Sequence, residues 1–166
     1  MITRFHVENF KSLANFDLPP AGHRLGPFTC LIGLNGSGKS TLLQAMDFAA
    51  HIITGQVKEW LEQRNWRPLD VVTNLGKRTA VVSFEVGFVD PAERQVTWQA
   101  RYNASLLRCT WEKVESDGQT LLELEAERLS LAVPDGESKR GEDKLNMVYG
   151  GSVLSVLQLK EKQHLL

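Results

Sequence analysis

The sequence predicts an α/β fold that carries an inserted antiparallel β-meander. Three observations support this prediction. An apolar run leads into a glycine-rich loop at residues 33–38, an apolar period of 3.6 residues follows, and from residue 79 the period changes to two. We expect residues 1–78 to form a lobe around the loop and residues 79–137 an antiparallel β subdomain. Residues 138–166 are expected to form a loop and the start of a helical segment.

The N-terminal elements are predicted from apolar patterning. Residues 2–18 are expected to form two short strands around a turn, followed by an irregular loop that contains two prolines. The continuous apolar run at residues 28–32 is typical of a strand buried on both faces. Residues 40–53 predict an amphipathic helix, and residues 57–64 are a candidate second helix. The apolar face of the first helix is assigned to Leu42, Ala45, Met46, Ala49 and Ile53.

The second half of the chain alternates apolar and polar residues, as antiparallel strands do. The pair Asp117 and Gly118 indicates a hairpin turn, and a one-residue parity shift at residues 127–128 indicates a bulge or a break. Residues 134–144 are predicted to form a solvated loop. Core-facing positions are assigned to Val82, Phe84, Val86, Phe88, Val96, Trp98, Ala100, Tyr102, Ala104, Leu107, Cys109, Trp111, Leu122, Leu124 and Ala126.

Composition is typical of a folded globular protein. The 166 residues are 42% hydrophobic and 23% charged, which excludes disorder over most of the length. Nineteen basic residues nearly balance 20 acidic ones, so the chain is not a polybasic nucleic-acid binder, although a local basic patch stays possible. The apolar stretches are too short for a membrane span. Cys30 and Cys109 lie in apolar runs, and we expect buried, reduced thiols in a cytoplasmic protein.

The motif that carries chemistry is the run Gly33-Leu34-Asn35-Gly36-Ser37-Gly38-Lys39-Ser40. It fits the phosphate-binding pattern of Gly, four residues, Gly, Lys and Ser or Thr. Glycine lets successive backbone N–H groups approach phosphate oxygens, and the helix that follows directs the positive end of its dipole at the same anion. In this pattern Lys39 supplies an ammonium group to the β- and γ-phosphates, and the Ser40 hydroxyl coordinates Mg²⁺. A glycine-rich turn that binds nothing is the disfavoured alternative.

The run at residues 35–41, Asn-Gly-Ser-Gly-Lys-Ser-Thr, resembles the phosphate loop of ABC-type ATPases. It most resembles the branch that holds SMC, RecF and OLD-type proteins, often called AAA-family ATPases in bacterial genomes. The segment at residues 7–13, Val-Glu-Asn-Phe-Lys-Ser-Leu, supports this branch, which opens with a strand and an Asn-Phe-Lys/Arg-Ser segment before its phosphate loop.

This resemblance implies the P-loop NTPase fold, as the N-terminal lobe of an ABC/SMC-like head that binds ATP and Mg²⁺. It implies that Lys11 and Ser12 lie near the nucleotide, although a solvated loop lysine is an equal alternative for Lys11. The nucleotide-binding set that it implies is Gly33, Asn35, Gly36, Ser37, Gly38, Lys39, Ser40, Thr41, Lys11 and Ser12, with Ser40 as the Mg²⁺ ligand.

Two motifs of a complete head of this kind are absent from the sequence. One is an acidic motif, four apolar residues and then Asp-Glu, which holds Mg²⁺ and polarises the attacking water. The other is a Leu-Ser-Gly-Gly signature that caps the partner's γ-phosphate. Asp90 ends an imitation of the acidic motif, but Pro91 stands where Glu is required. Gln158 is, by position, the candidate sensor of Mg²⁺ and γ-phosphate, with a solvated helix glutamine favoured. We therefore expect this chain alone to bind nucleotide with little turnover.

Two functions stay open. In the first, two heads close over two nucleotides and hydrolysis reopens them, which controls DNA engagement or an attached nuclease effector in DNA repair or antiphage defence. In the second, the chain is a non-catalytic, nucleotide-responsive interaction module that a separate chain completes. A phosphotransferase that uses Asp90 is a weaker third possibility. The expected partners are a second head, DNA and a nuclease or other effector, with no membrane.

One aromatic residue lies among basic ones. Trp66 stands between Arg64 and Arg67 in the sequence, and it either contacts a partner or closes the end of a helix. Base stacking is the functional interpretation of such a site, and packing is the structural one. The four histidines lack the spacing of metal ligands, so we do not expect a zinc site.

Overall fold

The computed structural model describes residues 1–21, 23–74, 79–132, 140–144 and 148–157. Its strands are β1 (Ile2–Phe10), β2 (Leu13–Leu18), β3 (Val81–Val89), β4 (Gln95–Asn103), β5 (Arg108–Ser116), β6 (Gln119–Glu125), β7 (Arg128–Leu131) and β8 (Arg140–Lys144). Its helices are α1 (Lys39–Thr54) and α2 (Val57–Glu62), followed by a short 3-10 helix at Pro68–Val71. Among the described residues, no helix is long and apolar enough to cross a membrane.

The eight strands form one sheet in the order β2-β1-β3-β4-β5-β6-β7-β8, and each neighbouring pair is antiparallel. The predicted meander is therefore confirmed, and it extends through β8 into the stretch that we expected to be a solvated loop. The N-terminal hairpin joins the same sheet because β1 pairs with β3, with Val7 opposite Phe84. The antiparallel order does not by itself establish the P-loop NTPase fold.

Two tight turns follow the sequence signals. Asp117 and Gly118 have φ angles of 48° and 79°, as the two central residues of a hairpin turn require. Ala126 and Glu127 have φ angles of 48° and 67°, and they separate β6 from β7 where the apolar parity shifts. The shift is thus a break between strands. Ala126 is exposed in this turn, so its assignment to the core is wrong.

The assignment of Trp111 to the core face is also wrong. The register of β4 and β5 shifts, so that Arg101 opposes Trp111 while Tyr102 opposes Cys109. One extra residue, Thr110, therefore reverses the side-chain parity of β5. Trp111 then lies on the opposite face of the sheet, with the Arg101 guanidinium 5.3 Å from its ring centroid.

The core lies between α1, α2 and one face of the sheet. The buried side of α1 is formed by Leu42, Ala45, Phe48, Ala49 and Ile52. This face is rotated from the predicted one, and Met46 and Ile53 are only half-buried. Phe48 explains the rotation, because its ring packs between α2 and the sheet. Its ring centroid lies 4.6 Å from that of Trp60 and 5.3 Å from that of Tyr102.

The predicted buried strand at residues 28–32 is not formed. Phe28 is 88% and Ile32 is 92% exposed, and Cys30 is exposed as well. A strand with two apolar faces needs other elements packed against both faces. The exposure of Phe28 and Ile32 shows that the described part of the chain provides no such cover here. The expectation of a buried thiol is therefore wrong for Cys30 and confirmed for Cys109.

Candidate phosphate-binding site

Residues 33–41, here called the phosphate-loop segment, curve directly into the first turn of α1. The N–H of Ser37 donates to the carbonyl oxygen of Leu34 at 3.2 Å and closes a turn. Gly36 and Gly38 have φ angles of 84° and 90°, a backbone region that glycine adopts at little cost. Two of the three glycines of the motif thus lie at positions where the backbone needs a positive φ angle.

The N-terminus of α1 is open to an anion. Its N-cap residue is Gly38, no side chain caps the first turn, and that turn contains no acidic residue. The first N–H groups of such a helix lack partners within the helix, and the helix dipole favours negative charge there. This end of α1 therefore has the physical character of a phosphate site.

An open depression of about 250 Å³ lies over the segment. It is lined by Asn35, Gly36, Ser37, Gly38, Lys39, Ser40 and Thr41. A Cβ atom added at Gly36 would meet nothing within 4 Å, whereas one at Gly33 would lie 2.6 Å from Ser37 Oγ. The segment is thus tight at its entry and open above its centre, where an anion would lie.

Lys39 holds its ammonium group inside the segment. Its Nζ atom donates to the carbonyl oxygens of Gly33 at 2.7 Å and Leu34 at 2.8 Å. An ammonium on a flexible four-carbon stem can exchange such acceptors for phosphate oxygens. Ser40 is exposed at the start of α1, so its hydroxyl lies at the surface beside the same depression.

Ser12 and Lys11 lie in the turn between β1 and β2. Ser12 Oγ donates to Thr41 Oγ1 at 3.4 Å, which brings this turn against the phosphate-loop segment. The Lys11 ammonium lies 3.4 Å from the ring centroid of Trp66, and burial lowers the pKa of Lys11 while the Asp70 carboxylate opposes that shift. Lys11 is thus held against an aromatic ring, and its contact with nucleotide stays a prediction.

The basic residues around Trp66 are engaged within the chain. Arg64 donates to Asp47 at 2.9 Å, and Arg67 donates to Asp70 at 3.1 Å. The Trp66 ring packs edge-on against Trp60 with 5.4 Å between centroids. These contacts favour the structural interpretation, in which Trp66 closes the end of α2, and disfavour the one in which Trp66 contacts a partner.

Asp90 holds the turn between β3 and β4 through its carboxylate. Its carboxylate accepts hydrogen bonds from the Ala92 N–H at 2.8 Å, and from the Arg94 N–H and Nε at 3.0 and 2.8 Å. The bonds from Arg94 lower the pKa of Asp90. A carboxylate held this way in the β3–β4 turn does not fit the role of a water-activating base. The other candidate, Gln158, lies outside the described residues.

Sequence reasoning missed one buried acid. Glu112 is fully buried on the core face of β5, because the extra residue Thr110 turns it inward. Its carboxylate accepts hydrogen bonds from Trp98, Ser152 and Val153. The only signal in the sequence is a charged residue next to an apolar alternation, and that signal is readable only if the bulge is known.

A larger groove of about 430 Å³ lies away from this segment. It is lined by Leu69, Val72, Thr73, Asn74, Thr79, Ala80 and Ser105. The described side chains that line it carry no charge. Because a phosphate group needs positive charge or clustered N–H donors, the smaller depression at the start of α1 is the better phosphate site.

Comparison with known proteins relates the chain to ATPase-like domains. A family profile described as AAA domain matches residues 4–152. An OLD nuclease from Thermus scotoductus is 32% identical over 124 residues, which cover 74% of this chain and 20% of that protein. Structural maintenance of chromosomes protein 1 from Arabidopsis thaliana is 44% identical over 61 residues, or 34% of this chain and 4% of that protein. The chain thus spans a fifth or less of these relatives.

Proposed function

The chain belongs to the AAA domain family, and from this premise we propose that it binds ATP with Mg²⁺ as the N-terminal part of an ABC/SMC-like ATPase head. Membership of this family supports nucleotide binding in general. The observation that carries the proposal is the uncapped N-terminus of α1, with the Lys39 ammonium beside the depression that leads to it.

The residues present fit this ligand. Backbone N–H groups of residues 35–41 would hold the phosphates, while Lys39 would release the carbonyls of Gly33 and Leu34 and turn toward the anion. The Ser40 hydroxyl would be the protein's ligand to Mg²⁺, which when bound neutralises phosphate charge. Ser12 lies against Thr41 of this segment, and Lys11, which precedes it in the turn, would approach the nucleotide from the same side.

The wider role that we propose is a nucleotide-driven switch. Two heads would close over two nucleotides, and closure would control DNA engagement or an attached nuclease effector in DNA repair or antiphage defence. The likeness to an OLD nuclease and to a structural maintenance of chromosomes protein supports this role. Because this chain lacks the acidic and signature motifs, we propose that it binds ATP without appreciable turnover by itself.

A second candidate is a nucleotide-responsive module that a separate chain completes. The exposed apolar side chains at residues 28–34 favour it, because they offer a surface for a further polypeptide segment. Intact mass spectrometry of the native protein from its source discriminates the two. A mass well above 18.6 kDa supports a longer ATPase that carries the missing motifs, and a mass of 18.6 kDa supports the module.

The test of nucleotide binding is the variant Lys39→Ala. We expect wild-type binding of ATP–Mg²⁺ at micromolar concentration or tighter, and a loss of about 100-fold or more in the variant, as removal of charge-assisted contacts allows. A titration with a fluorescent ATP analogue measures both. Lys58→Ala is the matched control, because it removes the same charge from an exposed position on α2. Equal affinity of Lys39→Ala and wild type would refute the proposal.

A further inference from the structure

Residues 149–157 lie against the C-terminal end of α1. The carbonyl oxygen of Ile52 accepts the N–H of Gly55 at 3.1 Å and also that of Ser152 at 2.8 Å. Gly151 has a φ angle of 69°, and a Cβ atom there would collide with the carbonyl oxygen of Ile52. The segment therefore contacts the backbone of α1 at a distance that only glycine permits.

The same segment is bonded to β5. The N–H of Gly151 donates to the carbonyl oxygen of Leu107 at 2.8 Å. The N–H of Cys109 donates to the carbonyl oxygen of Gly151 at 2.7 Å. The Tyr149 hydroxyl donates to the carbonyl oxygen of Cys109 at 2.7 Å. Residues 149–151 thus form a bridge between the last turn of α1 and the sheet.

The buried carboxylate of Glu112 completes the bridge. Its Oε1 atom accepts hydrogen bonds from Trp98 Nε1 at 2.7 Å and from the Ser152 hydroxyl, and its Oε2 atom accepts the N–H of Val153 at 3.0 Å. Ser152 Oγ in turn accepts the N–H of Leu154 at 2.9 Å, as an N-cap residue does. Glu112 thus connects the sheet to the start of the helical turn at residues 154–157.

Removing a carboxylate from water costs free energy, and these three donors offset part of that cost. A hydrophobic residue of similar volume would fill the same space in the core without this demand. Unlike such a residue, the carboxylate accepts hydrogen bonds from the Ser152 hydroxyl and the Val153 N–H, and so holds residues 149–157 at a fixed position against β5. The geometry of Glu112 therefore suits a residue that fixes the position of a neighbouring segment.

We propose that Glu112 is a positioning residue that fixes residues 149–157 to β5 beside the end of α1, so that a change in α1 on nucleotide binding passes to this segment. The inference rests on the proposed function, because α1 starts at Lys39 in the candidate phosphate site. The helix spans 16 residues, about 24 Å, and it ends at Thr54 beside the bridge. It is a rigid element that touches both places.

Hydrogen exchange of the full chain, with and without ATP–Mg²⁺, tests this inference through Glu112→Gln. The amide group keeps the volume but cannot accept both the Ser152 and the Val153 hydrogen bonds. Ser152→Ala removes a donor without altering the sheet, and it serves if Glu112→Gln fails to fold. Glu115→Gln is the matched control, because Glu115 lies on the same strand and pairs with Lys113 at the surface.

In wild type we expect ATP–Mg²⁺ to slow exchange in two peptides, one covering residues 33–41 and one covering residues 149–157. In Glu112→Gln and Ser152→Ala, exchange of the second peptide without nucleotide should be faster by about tenfold or more, as loss of a hydrogen bond to a carboxylate allows. Its response to ATP–Mg²⁺ should vanish, while nucleotide affinity and the response of the first peptide persist. Glu115→Gln should behave as wild type.

Each other outcome overturns a specific claim. A nucleotide response at residues 33–41 that never reaches residues 149–157 in wild type overturns the coupling and leaves the proposed function intact. A full response at residues 149–157 in both variants overturns the role of Glu112. Absence of any response at residues 33–41 refutes the proposed function, and the coupling falls with it.

Discussion

Among single residues, Glu112 is a buried acid whose protonation is expected to affect stability. Burial raises the pKa of Glu112 above its ordinary value of 4.5, and the hydrogen bonds from Ser152, Trp98 and Val153 oppose that rise only in part. The folded protein then holds this proton more tightly than the unfolded chain. We therefore expect the contribution of Glu112 to stability to be complete below pH 4.5 and to be lost as pH rises through its raised pKa.

Urea denaturation at several pH values measures this loss. The Glu112→Gln variant has no proton to release, so the fall that begins near pH 4.5 should be missing from its profile. Cys109 and Tyr149 are titratable neighbours, but burial raises the pKa of Cys109 well above 9.0 and that of Tyr149 to about 12, so neither interferes. The surface variant Glu115→Gln should keep the fall. Parallel profiles of wild type and Glu112→Gln would contradict the prediction.

The phosphate-loop residues and Glu112 differ in how far the sequence could predict them. The phosphate-loop residues follow from a contiguous motif, because glycine at the bends and lysine at the helix start act locally. Glu112 could not be predicted, because its burial depends on a bulge at Thr110 and its partner Ser152 lies 40 positions away. Local pattern therefore predicts the phosphate-loop segment, whereas only tertiary contact reveals the hydrogen bond between Glu112 and Ser152.

Among structural elements, the bridge between α1 and β5 depends on one glycine. Gly151→Ala adds a methyl group against the carbonyl oxygen of Ile52 at a φ angle of 69°, so it should destabilise the fold through both clash and backbone strain. Gly118→Ala is the matched control, because Gly118 has a φ angle of 79° and nothing within 4 Å of an added Cβ. It carries the strain alone, about 1–2 kcal/mol.

Chemical denaturation of the two variants separates these effects. The difference in the free energy of unfolding, about 1–3 kcal/mol, is the cost of the clash. Gly151→Ala should also speed exchange of the amides at residues 149–157, whereas Gly118→Ala should leave them unchanged. If the two variants were equally stable, the close approach of this segment to α1 would be refuted.

Strands could be predicted where alternation alone defines them, and not where a neighbour defines them. The strands β3, β4 and β6 alternate, so each shows its buried face in the sequence, whereas the bulge at Thr110 reverses part of β5. Residues 28–32 have the apolar pattern of a strand buried on both faces. Whether other elements cover those faces depends on the tertiary fold, which the local pattern does not contain. The pairing of β1 with β3 likewise has no local signal, because about 70 residues separate them along the chain.

At the scale of the whole molecule, several large apolar side chains in and near the phosphate-loop segment are exposed. Phe28, Ile32, Leu34 and Leu43 are all largely exposed. Leu43 also lines a groove of about 300 Å³, together with Met1, Ile2, Leu18, Leu25, Gly26, Pro27, Thr29, Leu31 and Met46. Exposed apolar side chains beside such a groove are typical of regions that another polypeptide covers.

This surface predicts that the isolated chain self-associates. Burying one large apolar side chain contributes about 1.5–3 kcal/mol, so Leu43→Ser or Phe28→Ser should weaken association by about tenfold or more. Sedimentation velocity over a range of concentrations measures the change. Leu121→Ser is the matched control, because Leu121 is an exposed leucine on β6, away from this groove.

The same variants separate association from nucleotide binding. Leu43 points away from the buried face of α1, so Leu43→Ser should leave the affinity for ATP–Mg²⁺ within about twofold of wild type, a difference below 0.5 kcal/mol. A wild-type chain that stays monomeric at high concentration would refute the prediction. So would a Leu121→Ser variant that dissociates as readily as Leu43→Ser, because association would then not depend on the apolar side around residues 28–34.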